Sequence, residues 1–148
     1  MVFKPDGTFP SLKAFGPRVL AECSRSGSVL RTLGGRARSF PALRSSEPGA
    51  RARALRQAVN YVVQGSAADL CKVAMVGAHR RLALRPGAAR LLLQLHDELV
   101  WEVSAAHLPW AVGIVKEEME GSGQQCGMSQ RLPVAVSIGP NWGNMTPI

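Results

Sequence analysis

The sequence predicts an α+β fold of antiparallel strand pairs packed on helices, and three observations carry that prediction. Apolar residues recur at helical spacing through two long stretches, 53–84 and 108–120. Runs of strand-forming residues broken by tight turns mark strand pairs at 28–40 and 91–103, with a last strand at 132–138. Composition agrees: 148 residues, 46% hydrophobic and 19% charged, describe one domain able to bury a core and exclude disorder, collagen or coiled coil as the main description.

Each element has its own justification. Residues 1–8, with Pro5, Asp6 and Gly7, form an irregular lead-in. From Phe9, the residues Leu12, Phe15, Val19 and Leu20 keep a helical period that Gly16 and Pro17 interrupt and Gly27 ends. Ser28 to Leu33 alternates as a strand, Gly34-Gly35 turns it, and Arg36 to Phe40 returns as the second strand of a basic hairpin. The Ser-, Pro- and Gly-rich residues 44–50 are a loop. Within 53–84 the apolar stripe is Leu55, Val59, Val62, Leu70, Val73 and Gly77. Gly65-Ser66 interrupts it and Ser66-Ala-Ala-Asp69 has the capping-box pattern, so either one helix bends at Gly65 or a second begins at Ser66. Pro86-Gly87 closes the segment.

The run LLLQLHDELVWEV, Leu91 to Val103, reads as strand, tight turn, strand, with His96, Asp97 and Glu98 at the tip. Leu108, Ala111, Val112, Val115 and Met119 face away from Lys116, Glu117 and Glu120, an amphipathic helix. Gly121 to Gln130 is a flexible link, Leu132 to Ile138 a final strand, and the remainder a tail anchored by Trp142.

Charge is distributed unevenly. Residues 1–56 hold 11 Lys/Arg and 3 Asp/Glu, whereas residues 57–148 hold 7 of each, so the whole net charge of +8 lies in the first third. Arginines there, among them Arg31, Arg36, Arg38, Arg44, Arg51, Arg53 and Arg56, suit phosphate oxygens and counterion release, which points to nucleic acid. A solvated basic face and an Arg-rich mitochondrial transit peptide remain the alternatives. No stretch approaches the roughly 18 apolar residues of a membrane span and the first 30 residues lack a secretory signal, so the chain is expected to be soluble, intracellular and without a membrane partner. Cys23, Cys71 and Cys126 stand far apart without a CxxC pair, the pattern of reduced thiols.

Two constellations carry chemistry. Asp97 and Glu98 interrupt an apolar segment, and burying carboxylates there is costly unless a cation such as Mg²⁺ compensates them; the alternative is two turn residues in water. Arg56, Asn60 and Gln64 recur every four residues, so on a continuous helix they share one face and suit the acceptors of a duplex minor groove; a solvent-facing stripe is the alternative.

The strings RQAVNYVVQGSAADLCK, Arg56 to Lys72, and LQLHDEL, Leu93 to Leu99, resemble the C-terminal palm of family A DNA polymerases, the bacterial polymerase I type. The second resembles that family's motif C, which is highly specific. The wording of the first is nearest the eukaryotic theta and nu branch, nu favoured. Residues 27–38 resemble the strand pair between fingers and palm, and Val134 to Trp142 the closing strand. The likeness runs from about Phe9 to the end, loosely over the first 50 residues. It implies two parts, a basic lead-in and hairpin at the fingers–palm junction in 1–50 and a palm subdomain with motif C in 51–148.

It also implies a palm-like sheet and templated nucleotide addition with two Mg²⁺ ions on primer-template DNA and deoxynucleoside triphosphates, in DNA repair or replication, in the nucleus or alternatively the mitochondrion. Asp97 would bind metal, Glu98 would be an adjunct carboxylate and His96 would support the primer terminus. Arg56, Asn60 and Gln64, with Arg36 and Arg38, would contact DNA. The departures are equally plain. The chain has three aspartates, Asp6, Asp69 and Asp97; Asp69 belongs to the helix pattern and Asp6 to a lead-in unlike motif A. Leu55 stands where the family commonly has Glu. With the motif A aspartate and the fingers helix lying upstream in the family, the two-metal site is expected to be incomplete and the chain to be a C-terminal piece, inactive alone. The competing classes are a non-catalytic duplex-binding module and, more distantly, an organellar metal-dependent hydrolase.

Overall fold

The computed structural model describes residues 10–148, so the lead-in, Asp6 and Phe9 lie outside the described residues, as does the side chain of Leu12. The chain divides into two compact units, one ending at Ser66 and one running from Ala67 to Ile148. The division falls inside a helix and not at residue 56, where the excess of positive charge ends.

The first unit holds α1 (Pro10–Arg25), β1 (Val29–Arg31), β2 (Ala37–Ser39), a 3₁₀ turn at Pro41–Arg44 and the start of α2 (Pro48–Leu82). Helix α1 carries Pro17 in its interior and buries Val19 and Cys23, with Phe15 packed beside them. Gly27 and Ser28 then take φ of 70° and 73°, the left-handed conformation that reverses the chain. The Ser28 N–H closes on the Cys23 carbonyl at 2.8 Å. The expected basic hairpin follows, in antiparallel register with Leu30 opposite Arg38. Leu30 and Phe40 join Val19, Cys23 and Ala58 in one core.

Helix α2 begins inside the expected loop. Glu47 makes this possible, because its carboxylate accepts the N–H of Gly49 at 2.7 Å and that of Ala50, while Pro48 has no N–H to satisfy. The helix then runs unbroken through Gly65-Ser66 for 35 residues. The capping-box reading fails there because the Ser66 hydroxyl accepts the N–H of Leu33 at 3.0 Å instead of serving a helix start. The buried stripe also differs from the expected one. Ala54, Ala58, Cys71, Ala74, Ala78 and Leu82 are buried, whereas Leu55, Val59, Val62, Leu70 and Val73 are only half-buried. Small side chains let neighbours approach the helix closely, and periodicity counted on large residues misses them.

The second unit holds the rest of α2, then β3 (Ala89–Leu95), β4 (Glu98–Val103), a 3₁₀ turn at Ala105–His107, α3 (Leu108–Gln125), β5 (Ser137–Ile138) and β6 (Thr146–Pro147). Its core sets Ala78 and Leu82 of α2 against Ala111 and Ile114 of α3, with Ala89, Trp101 and Val103 packed on from the hairpin. Gly77 lies where the helices meet: a Cβ there would lie 2.1 Å from the Glu118 carboxylate, which Arg81 holds at 2.9 Å while also bonding Glu117 at 2.7 Å, so the Glu118 side chain would have to shift.

Three expectations change in this unit. Helix α3 continues through Gly121, Ser122 and Gly123 to Gln125, since Gly123 admits Met128 and Leu132 against it and the chain folds back along the helix. The last strand shrinks to Ser137–Ile138, paired with Thr146–Pro147, because residues 132–136 find no partner strand among the described residues. Trp142 is 56% exposed and anchors nothing. Among the described residues the strands form three antiparallel pairs, small sheets that with the helices make the expected α+β fold.

Candidate functional site

The β3–β4 hairpin displays His96, Asp97 and Glu98 at its tip, as the sequence indicates. Leu95 pairs with Glu98, leaving a two-residue turn of His96 and Asp97. His96 takes φ of 54°, the positive value that the first position of a II′ turn requires and that a side-chain-bearing residue adopts at a cost. The register slips between Leu91 and Leu93, so Leu92 is an extra residue and the bulge reverses which side chains face α2. Ala89, Leu91 and then Gln94, not Leu93, share the face of Leu99, Trp101 and Val103.

That reversal brings Gln94 to α2. Its amide donates to the Cys71 thiol and to the His96 carbonyl, each at 3.3 Å, tying the turn to the helix. Cys71 is buried and its thiol is pushed up from its ordinary value, first by burial and then by the negative charge of Asp97, against the hydrogen bond from Gln94. Neither Gln94 nor Cys71 is prominent in the sequence; the one signal is an amide in a run of leucines.

His96, Asp97 and Glu98 are all exposed. The argument that these acids need a compensating cation therefore fails within this chain, since water solvates them. Leu92, Leu93 and Leu95 beside them are 52%, 38% and 40% exposed. Asp97 sits in the turn while Glu98 opens the strand on the side of Leu95 and Val100. Among the described residues, no three of His, Cys, Asp or Glu come together as a metal-binding group.

In the first unit, Arg56, Asn60 and Gln64 lie on the continuous α2 and all are exposed, as one helical face allows. Arg36 and Arg38 are engaged differently. The Arg36 guanidinium donates to the Gly65 carbonyl at 2.8 Å, and its own carbonyl accepts the Tyr61 hydroxyl at 2.8 Å. Arg38 lies over the rings of Phe40, at 5.1 Å, and Tyr61, at 5.8 Å, as cation–π contacts.

Comparison with known proteins identifies a family. The family described as DNA polymerase family A matches residues 6–144. DNA polymerase I of Treponema pallidum (strain Nichols) is 39% identical over 137 residues, 93% of this chain and 13% of that protein. The thermostable DNA polymerase I of Thermus filiformis is 42% identical over 135 residues, 91% of this chain and 16% of that protein. Among solved structures, the POL domain of Pol1 from M. smegmatis, in complex with DNA primer-template and dNTP, superposes with a TM-score of 0.72 at 35% identity, covering 77% of this chain and 20% of that one. The chain thus spans only about an eighth to a sixth of the curated relatives it matches. An α+β chain with a carboxylate-tipped hairpin and a long polar-faced helix, matched over nearly all its length, belongs to DNA polymerase family A.

Proposed function

We propose that this chain is the C-terminal catalytic palm portion of a DNA-directed DNA polymerase, with 51–148 as the palm subdomain and 1–50 reaching toward the fingers. The observation that carries the reading is the hairpin tip, where paired strands and the Gln94 amide hold the exposed Asp97 carboxylate in a defined turn. On this reading Asp97 is the main metal ligand, Glu98 an adjunct, and His96 meets the primer terminus. Arg56, Asn60 and Gln64 donate to minor-groove acceptors of the primer-template duplex, whose next partner is a deoxynucleoside triphosphate.

Carboxylate oxygens are the donors Mg²⁺ prefers, so Asp97 and Glu98 fit part of a magnesium site. The remaining ligands come from substrate phosphates or from carboxylates outside this chain. A metal held there would supply activation of the 3′ oxygen and charge neutralisation of the leaving pyrophosphate. The protein's own contribution is positional: the turn fixes Asp97, and the polar face of α2 holds the duplex.

The test is primer extension with Mg²⁺. Residues 1–148 alone should incorporate no nucleotide. A longer chain that adds the upstream region of a family A polymerase should extend primers. In that chain Asp97→Ala should lower incorporation by at least ~1,000-fold while DNA affinity stays within about twofold, and Glu98→Ala should do less. Full activity of Asp97→Ala sinks the metal assignment, and robust extension by the short chain sinks the claim that it is inactive alone. A non-catalytic duplex-binding module is the second reading, favoured by the missing third ligand among the described residues; a longer chain that binds DNA but never extends it selects that module.

The eukaryotic theta and nu branch, and with it nuclear residence and a role in repair or replication, rests on the wording of Arg56 to Lys72 alone. The relatives above are bacterial and lend it no support. A tagged chain found only in mitochondria removes the nuclear reading.

A further inference from the structure

We infer that Arg36 is a positioning residue, which fixes the turn of α2 that carries Gln64 instead of touching DNA itself. The inference rests on the reading of Gln64 as a duplex contact and adds how that contact is held.

Gly65 makes α2 locally weak, since glycine costs about 1 kcal/mol against alanine inside a helix. The same glycine is needed, because a Cβ there would lie 2.6 Å from Cγ2 of Thr32. The β1–β2 turn therefore seats against the helix at this glycine, one residue from Gln64. Three bonds to α2 then secure the seat, and a fourth closes the turn itself. The Arg36 guanidinium donates to the Gly65 carbonyl at 2.8 Å, and the Tyr61 hydroxyl donates to the Arg36 carbonyl at 2.8 Å. Leu33 donates its N–H to the Ser66 hydroxyl at 3.0 Å, and the Arg36 N–H reaches the Thr32 hydroxyl at 3.1 Å. These contacts bracket Gln64 on α2 at Tyr61, Gly65 and Ser66, while Gln64 itself stays exposed.

A guanidinium committed to a helix carbonyl leaves phosphate contact to other arginines, such as the exposed Arg51, Arg53 and Arg56. Positioning and direct contact then predict different salt behaviour. Losing a phosphate contact lowers the slope of log affinity against log salt by about 0.9, whereas losing a positioning bond leaves the slope alone.

The experiment uses the 148-residue chain with a labelled primer-template duplex and the matching single strand, read by anisotropy across a salt series. Arg36→Ala should weaken duplex binding about fivefold, the worth of one hydrogen bond, with an unchanged salt slope and little effect on the single strand. In a Gln64→Ala background it should cost nothing more, because a lost position matters only to the side chain it positions. Arg36→Met, which keeps the aliphatic stem and removes the donors, carries the same expectations if Arg36→Ala does not fold. A flatter salt slope, or penalties of Arg36→Ala and Gln64→Ala that simply add, overturns the inference while leaving the duplex reading intact. If Gln64→Ala alone leaves duplex binding unchanged, the duplex reading and this inference fall together.

Discussion

Two β-hairpins lean on the same helix, and they are held in opposite ways. The β1–β2 pair has strands of three residues each, and its turn is fixed to α2 by Arg36, Tyr61 and Ser66. The β3–β4 pair has strands of seven and six residues and seats its base by apolar burial of Ala89, Trp101 and Val103. Gln94 supplies it with a side-chain hydrogen bond to the helix. The difference teaches where charge is available for work. In the short hairpin, Arg36 donates to a helix carbonyl and Arg38 lies over two aromatic rings. In the long hairpin the sheet and core do the holding, and Asp97 and Glu98 at the tip stay exposed.

The largest effects should come from the two cores, and they test whether the hairpins are independent. Phe40, 3% exposed, and Leu82, 2% exposed, belong to separate clusters. Phe40→Ala and Leu82→Ala should each cost about 3 kcal/mol of unfolding free energy. In urea denaturation the double mutant should show the sum of the two costs, as distant sites without shared partners do. A coupling well above about 0.5 kcal/mol would show that α2 transmits strain between them.

Smaller effects should separate the two modes of attachment. Gly65→Ala gains helix propensity but drives a methyl into Thr32, and the stiff threonine cannot yield without losing the turn. A net loss of about 1 kcal/mol is expected, with faster hydrogen exchange at Leu33 and Arg36. Gln94→Ala should cost about 1 kcal/mol and speed exchange only around the tip of the long hairpin. Exchange that accelerates equally in both hairpins for either mutant would contradict the distinction between them.

The same contrast explains what the sequence could reveal. Both hairpins, the tip residues and the amphipathic α3 were legible, because alternation, Gly-Gly and His-Asp turns and a 3.6-residue period are local signals. The core face of α2 was not, since its alanines carry little apolar weight and yet let neighbours close in. The run through Gly65-Ser66 was undecidable locally: whether Ser66 caps a helix or accepts from Leu33 depends on a residue 33 positions away. The use of Arg36 was hidden for the same reason, because a basic residue in a turn reads alike whether it meets phosphate or a helix carbonyl. The bulge at Leu92 was hidden as well, and with it the placement of Gln94 beside Cys71.

The smallest effect sharpens the comparison at two buried thiols, one beneath each hairpin. Burial pushes both Cys23 and Cys71 up from their ordinary values; the positive charge of Arg44 partly offsets this at Cys23, whereas the negative charge of Asp97 adds to it at Cys71. A thiol raised in the native state keeps its proton to higher pH than the unfolded chain does. Above the ordinary thiol range the unfolded state therefore binds fewer protons, and unfolding free energy falls as pH rises. Stability is complete below that range and is lost as the pH climbs through the raised native values. Urea midpoints followed from neutral to alkaline pH should show this loss, with Cys71→Ser and Cys23→Ser each removing part of it. Asp97→Asn should also shrink it by lowering the Cys71 thiol toward its ordinary value, and it should do nothing in a Cys71→Ser background. If Asp97→Asn leaves the alkaline slope of the parent chain unchanged, the tip does not bring its charge to Cys71, and the Gln94 tether that places it there is wrong.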